Sequence, residues 1–239
     1  MPELPKIAID CGSGITKWRH ADDFGSLPSV AGTVPDGTFS VKDYSNDVIV
    51  FGKSEYLTGE SANAILDAGE RCSTLSKDWA RSNGYKALLY RALSAAFPGG
   101  FKGRISLCAG LPQAVFDELR KDCANRLSGQ HAFWAGEHKY DIEIRPDDLW
   151  LIPQSMAVFF YSASQDPELL HDLVAVIDVG TFTSGYSMIN RSIFNPRKSK
   201  GIELGLANLK DELGAFIYRE HGVQLPPSVA TDALVRGQI

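Results

Sequence analysis

Ile7-Ala8-Ile9-Asp10-Cys11-Gly12-Ser13-Gly14-Ile15-Thr16-Lys17 decides the fold. Its β-branched, apolar opening reads as a buried strand that delivers an aspartate into a Gly-rich turn. The same pattern returns a domain's length downstream, where Val174-Ala175-Val176-Ile177 runs into Asp178-Val179-Gly180-Thr181-Phe182-Thr183. Glycine lets the backbone approach a ligand closely, so successive N–H groups can point at phosphate oxygens. Ser13 and Thr181 add hydroxyl donors, and Lys17 adds a point charge. A carboxylate beside polyphosphate suits Mg2+, which keeps several waters and is held by one or two carboxylates plus phosphate oxygens. One such turn is common punctuation, but two form the jaws of a phosphate clamp. Asp10 and Asp178 are then the candidate metal carboxylates. Gly12, Ser13, Gly14, Ile15, Lys17, Gly180, Thr181, Phe182 and Thr183 are the candidate phosphate contacts.

At 239 residues the chain suffices for one large domain or two modest ones, each with its own core. Its apolar fraction is ordinary for a globular protein, and no apolar run approaches the roughly 18 residues of a membrane span. Met1-Pro2-Glu3-Leu4-Pro5-Lys6 lacks the basic start and apolar stretch of a signal peptide, so a cytoplasmic location is expected. Cys11, Cys72, Cys108 and Cys123 show neither C-x-x-C spacing nor histidine pairing, which indicates reduced cysteines rather than a zinc site or disulfide framework. Cys11 reads as a small residue packed between strand and loop, although a thiol beside Lys17 and backbone donors could gain thiolate character. A net charge of -5 argues against direct nucleic-acid binding. The densest basic stretch, Arg191 with Arg197-Lys198-Ser199-Lys200, is expected to decorate a hairpin loop.

Mixed α/β organisation runs along the chain. Trp18-Arg19-His20 is expected to return as a second strand against the first. Residues 29–74 are Gly-rich and irregular, with one clear strand at Val48-Ile49-Val50-Phe51, and fit a small inserted subdomain over about 30–75. Tyr85 to Phe97 carries apolar residues on two adjoining helical faces and reads as a helix buried on both sides. A strand is expected at Arg104–Cys108, a helix at Gln113–Leu127, and further strands at Tyr140–Ile144 and Leu149–Ile152. Strands interleaved with helices imply a mainly parallel or mixed sheet covered on both faces. The stripe Leu206, Leu209, Leu213, Phe216 and Ile217 is expected to be core. Pro153 suits the first position of a helix and would hold Gln154 in its first turn. A glutamine amide can donate to one partner while accepting from water, so it can place a nucleophile without being a strong base.

Asp10 to Lys17, followed by Leu27-Pro28-Ser29-Val30-Ala31-Gly32, resembles the opening of actin and of the bacterial and archaeal actin-like filament proteins. Asp178 to Thr183 resembles that superfamily's second phosphate loop. Gly201-Ile202-Glu203-Leu204-Gly205-Leu206-Ala207-Asn208-Leu209, running on to Glu220-His221-Gly222, resembles the segment after it. The lysine of the first loop and the Gly110-Leu111-Pro112 turn resemble the plasmid-segregation branch. The resemblance implies an α/β actin-like, ribonuclease H-like fold with two lobes around a nucleotide cleft. Residues 1–168 would form the first lobe and 169–239 the start of an incomplete second one. It implies ATP and Mg2+ as ligands, with Asp10 and Asp178 holding Mg2+ largely through water. Gln154, in a segment that resembles actin's, would orient the attacking water, so that Gln154, Asp10 and Asp178 are the expected catalytic set. The implied protein is a slow Mg-dependent ATPase that assembles into homopolymeric filaments and segregates plasmid DNA through a DNA-binding adaptor.

Two departures accompany the resemblance. Where actins place a histidine and many bacterial relatives a second acid, this chain has Ser184-Gly185. The superfamily's adenine-reading Gly-Gly turn has no counterpart, since Gly99-Gly100 falls between a helix and a strand of the first lobe and the chain stops at Arg236-Gly237-Gln238-Ile239. Ala230 to Arg236 resembles the start of the helix before the missing part, so the chain is expected to be a fragment or a shortened relative, with weak ATP affinity and poor base selectivity. Two other readings stand beside this one. The first is a non-catalytic scaffold that retains the fold. The second is a sugar or small-acid kinase, for which no catalytic aspartate is identifiable.

Overall fold

The structure, a computed structural model, describes residues 3–35, 44–74 and 78–224. The expected stretch at Ala230–Arg236 lies outside the described residues, as do parts of the expected insertion and of the second lobe.

The first strand, β1 (Lys6–Cys11), buries Ile7, Ile9 and Cys11 and turns Asp10 to its other face. It pairs antiparallel with β2 (Ile15–His20), which confirms the expected return, and β2 pairs with β3 (Asp23–Pro28). After β4 (Ala31–Thr33) come β5 (Val48–Phe51), β6 (Ser54–Thr58) and the short helix α1 (Gly59–Ile65). Helix α2 (Asn83–Ala96) begins where Ser82 Oγ accepts the Tyr85 N–H at 3.0 Å, satisfying one of the helix's unpaired donors. Leu88, Leu89, Ala92 and Leu93 are fully buried because α2 packs against strands of two sheets, as its doubly apolar sequence requires.

The single strand expected at Arg104–Cys108 is instead two strands in different sheets. Strand β7 (Phe101–Arg104) pairs with β10 (His138–Ile144), whereas β8 (Ser106–Leu111) pairs parallel with β1. The change of partner falls on buried Ile105: its N–H donates to Glu143 O at 3.0 Å, and the next N–H, of Ser106, donates to Pro5 O at 2.9 Å. Helix α3 (Phe116–Leu127) follows a single turn at Gln113–Val115. Strand β9 (Gly129–Ala135) was not anticipated from the sequence; it forms a hairpin with β10 through a turn containing Gly136 at φ 56°. Strand β11 (Leu149–Pro153) leads directly into α4 (Gln154–Gln165). Pro153 therefore ends the strand and precedes the helix, rather than occupying its first turn. Its extended ψ of 137° makes the bend.

These strands build two sheets, one ordered β11-β8-β1-β2-β3 and one ordered β4-β6-β5-β9-β10-β7. The region expected as an insertion thus shares a sheet with β7, β9 and β10, and Ala31, Ile49 and Tyr56 join the same apolar core as β1 and α2. Tyr90, Phe133 and Tyr140 stack through that core at centroid distances of 4.1 and 4.7 Å.

A third sheet consists of β12 (Leu173–Val179), β13 (Ser184–Asn190) and β14 (Ile193–Ile202), all antiparallel. Val176 and Ile189 meet Met156 and Phe159 of α4, forming a separate apolar cluster. Arg191 and Ser192, both with positive φ, make the β13–β14 turn. The rest of the basic stretch does not lie in that loop: Arg197 to Lys200 belong to β14. The last described element is α5 (Leu206–His221), closed by Gly222 at φ 67°. Its apolar stripe is not core as expected. Leu206, Leu209 and Phe216 are about half exposed and only Ile217 is buried, because no described element covers that side of the helix.

Candidate functional site

Three parallel strands, β1, β8 and β11, end side by side, with Ile9 opposite Ala109 and Pro153 opposite Leu111. The crevice outside the carboxyl ends of such strands is where open α/β sheets hold ligands. Here those ends present Asp10, Gly110 and Gln154. Gln154 Nε2 donates to Asp10 Oδ1 at 2.6 Å. Gly110 leaves room for this pair, since a Cβ there would lie 3.1 Å from Gln154 Cγ and 3.3 Å from Asp10 Oδ1 and press on both side chains.

The first loop spans only Gly12, Ser13 and Gly14, closing the β1–β2 hairpin so that Asp10 faces Lys17 across the pair. The second loop, Gly180 to Thr183, closes β12 onto β13 and is braced internally by Gly180 N–H donating to Thr183 O at 2.8 Å. Helix α5 starts on this loop. Leu206 N–H donates to Gly180 O at 3.0 Å and Ala207 N–H to Thr181 O at 2.8 Å. Gly205 makes the approach feasible, because a Cβ there would sit 2.6 Å from Thr181 O.

The two loops touch. A Cβ at Gly14 would lie 2.0 Å from Thr181 Oγ1, so the hydroxyl of the second loop rests against the backbone of the first. Both loops line a single cleft of about 740 Å³, together with Asp10, Lys17, Gln154 and Asp178. Every expected site residue, Gly12, Ser13, Gly14, Ile15, Lys17, Gly180, Thr181, Phe182 and Thr183 included, lines it.

Electrostatics distinguish the two aspartates. Burial pushes the Asp10 carboxyl above its ordinary value; the Gln154 hydrogen bond and the Lys17 charge oppose this, and the Asp178 charge adds to it. Asp178 is exposed at the cleft. A part-buried and an exposed carboxylate at one cleft, close enough to feel each other's charge, fit a hydrated divalent cation held through its waters. Among the described residues no group of three or more histidine, cysteine or acidic side chains could hold a metal by itself. Cys11 is fully packed, and burial pushes its thiol far up, so it is the small packing residue and not a thiolate. Its carbonyl accepts the Trp79 indole N–H at 3.4 Å. Ser184, at the position of the missing acid, donates to Leu204 O at 2.6 Å and brings no charge to the cleft.

Sequence reading missed one wall of the cleft, formed by Thr74, Trp79, Tyr85, Val115 and Glu118. Tyr85 reads only as the start of the apolar helix, and Trp79 falls outside every expected element. Nothing in their spacing marks the long-range contact with the first loop. No described helix is long and apolar enough to cross a membrane.

The geometry has clear counterparts. An archaeal actin homolog, Ta0583, superposes with a TM-score of 0.76 at 20% identity, covering 97% of this chain and 72% of that one. The same protein in complex with ADP matches at a TM-score of 0.68 and 18% identity, over 97% of this chain and 71% of that one. A ParM from a 15-stranded filament of Clostridium botulinum gives 0.73 at 22% identity, covering 99% and 75%. At these identities the likeness establishes the fold, actin-like with an incomplete second lobe. A comparison with curated proteins gives no match. The family model described as the N-terminal domain of actin-like proteins matches residues 8–156, more than half of the chain. With that match, this chain belongs to the actin-like proteins.

Proposed function

We propose that this chain is an actin-like, nucleotide-dependent filament protein that binds Mg-ATP between its two Gly-rich loops and hydrolyses it slowly. The observation that carries the proposal is the Gly14–Thr181 contact, which brings both loops, both aspartates and Gln154 to one cleft. Residues 1–168 would form the first lobe and 169–239 the N-terminal part of the second, in the cytoplasm. Main-chain N–H groups of Gly12–Gly14 and Gly180–Thr183, with Lys17, would hold the phosphates, and Asp10 and Asp178 would hold Mg2+ through its waters. Bound Mg2+ supplies positive charge that offsets charge developing on the phosphoryl oxygens. Gln154 steers water, since its amide oxygen remains free to accept while Nε2 is held by Asp10. Catalysis of this kind is mostly positioning, so slow turnover suits a filament timer.

Support for self-assembly comes from the filament of the ParM relative, and support for nucleotide binding from the ADP complex of the archaeal one. Plasmid DNA segregation through a DNA-binding adaptor is the role most consistent with that likeness and with a net charge of -5. The deciding experiment is ultracentrifugal pelleting of the purified chain with and without Mg-ATP, beside an Asp178→Ala control. Sedimentation that depends on ATP and is lost in the control supports the proposal. Failure to pellet under every condition, together with no ATP binding, favours the non-catalytic scaffold.

A further inference from the structure

Immediately behind Gln154 lies a buried polar knot made from three distant parts of the chain. Ser155 Oγ, on the first turn of α4, is 2.6 Å from Ser187 Oγ on β13. Both hydroxyls also reach Gln113 Oε1, Ser155 at 3.3 Å and Ser187 at 3.1 Å. Gln113 opens the turn between β8 and α3, only three positions beyond the Gly110 that flanks Gln154. Ser155 is 4% exposed and Ser187 1%. Two hydroxyl hydrogens can make two of the three contacts at a time: Ser187 donates to Ser155 across the 2.6 Å contact, and Ser155 donates on to Gln113 Oε1, the final acceptor.

The placement is unusual for burial alone. Ser187 lies on the same face of β13 as Ile189, which packs with Met156, Phe159 and Val176. An alanine would suit that apolar setting at lower desolvation cost, since a buried hydroxyl is tolerated only when hydrogen-bonded. The knot joins the β8–α3 turn and α4, on one side of the cleft, to the sheet that carries the second loop. The residue before Ser155 is Gln154, whose side chain is fixed at its other end by Asp10.

The geometry points to Ser155 and Ser187 as positioning residues: the hydrogen bonds that join them to each other and to Gln113 fix the start of α4 relative to β13, and so fix where Gln154 can place a water. This rests on the proposed hydrolytic function. It assigns no chemistry to either serine, neither of which lines the cleft. Misplacing a positioning group by a fraction of an ångström costs rate rather than affinity.

The test uses Ser187→Ala and, as an independent removal of the same knot, Ser155→Ala, each made alone and together with Gln154→Ala in the full chain. The expected result is hydrolysis slowed about tenfold, with Mg-ATP affinity within about twofold of the parent. Neither serine change should slow hydrolysis further once Gln154 is alanine. An equal slowing with and without Gln154, or no slowing at all, overturns the inference, because a merely structural serine acts independently of Gln154. Amide exchange of residues 157–161, the first amides of α4 with intrahelical partners, in the nucleotide-free chain supplies a readout independent of turnover. The serine variants should raise that exchange while β1 and α2 stay protected, and unchanged exchange overturns the inference. If the parent chain hydrolyses nothing, the functional proposal has failed, and the exchange measurement alone decides whether the knot orders the start of α4.

Discussion

Gln154 and Asp10, 144 positions apart in sequence, share a 2.6 Å hydrogen bond at the ends of β11 and β1, the two parallel strands that flank β8. The bond ties the residue proposed to steer water to a carboxylate proposed to hold the hydrated cation. As a carboxylate Asp10 can only accept, so it takes the Nε2 end of the amide and leaves Oε1 for another donor.

Replacing Gln154 by alanine should lower the hydrolysis rate by up to about a hundredfold with little change in nucleotide affinity, because the side chain places the nucleophile and does not grip the phosphates. Single-turnover hydrolysis beside equilibrium binding of a fluorescent ATP analogue separates the two. Equal losses in rate and affinity would show that Gln154 acts in binding.

The raised Asp10 carboxyl makes a prediction about pH. Burial is its main cause, and Gln154, Lys17 and Asp178 are the polar and charged groups around it. Because the folded chain favours the protonated form, its contribution to stability is present below the ordinary carboxylate range and disappears as pH rises through the raised value. Asp10→Asn, neutral throughout and still able to accept from Gln154, should therefore melt at a higher temperature than the parent at neutral pH when free of ligand. The same variant should lose Mg-dependent nucleotide binding. A melting temperature that follows the parent's at every pH would refute the assignment.

Gly14→Ala places a methyl group 2.0 Å from Thr181 Oγ1 and should cost about 1–3 kcal/mol of stability, or force the loops apart and weaken nucleotide binding. The atoms in the way are Thr181 Cβ, Oγ1 and Cγ2. Thr181→Gly removes all three, so the double variant should recover much of the loss when both are followed by thermal melting. Additive losses would mean that the loops do not touch in solution.

The exposed stripe of α5 separates cover from core. Leu209→Glu and Phe216→Glu should each change stability by less than about 0.5 kcal/mol, whereas Ile217→Ala should cost about 2 kcal/mol. Chemical denaturation monitored by circular dichroism would distinguish them. Loss of several kcal/mol at Leu209 would show that something covers the stripe in solution.

Most of the site was legible because its parts are local. Asp-x-Gly after a β-branched run states a strand, a turn and a carboxylate within ten residues, and both loops lie where those runs placed them. Gln154 needed family resemblance, since a glutamine at a helix start carries no marker of its own. The knot of Gln113, Ser155 and Ser187 was illegible: three common polar residues become a group only once β13 is laid against α4. The errors in the fold have equally physical origins. Arg104–Cys108 has one continuous strand-like pattern, and only the choice of hydrogen-bond partner on either side of Ile105 divides it. The α5 stripe has core periodicity, but periodicity identifies an apolar face and not what lies against it.

The handover at Ile105 bears on how the first part of the chain can be taken apart. One peptide bond separates a residue hydrogen-bonded to one sheet from a residue hydrogen-bonded to the other, and α2 is wedged against both. Neither sheet is therefore a detachable module. Excising residues 30–75 would remove β4, β5 and β6 and leave β9 paired on one edge only, with β10, so the remaining first-half sequence would not be a smaller working lobe. Grafting or minimising this protein has to treat both sheets as one indivisible unit.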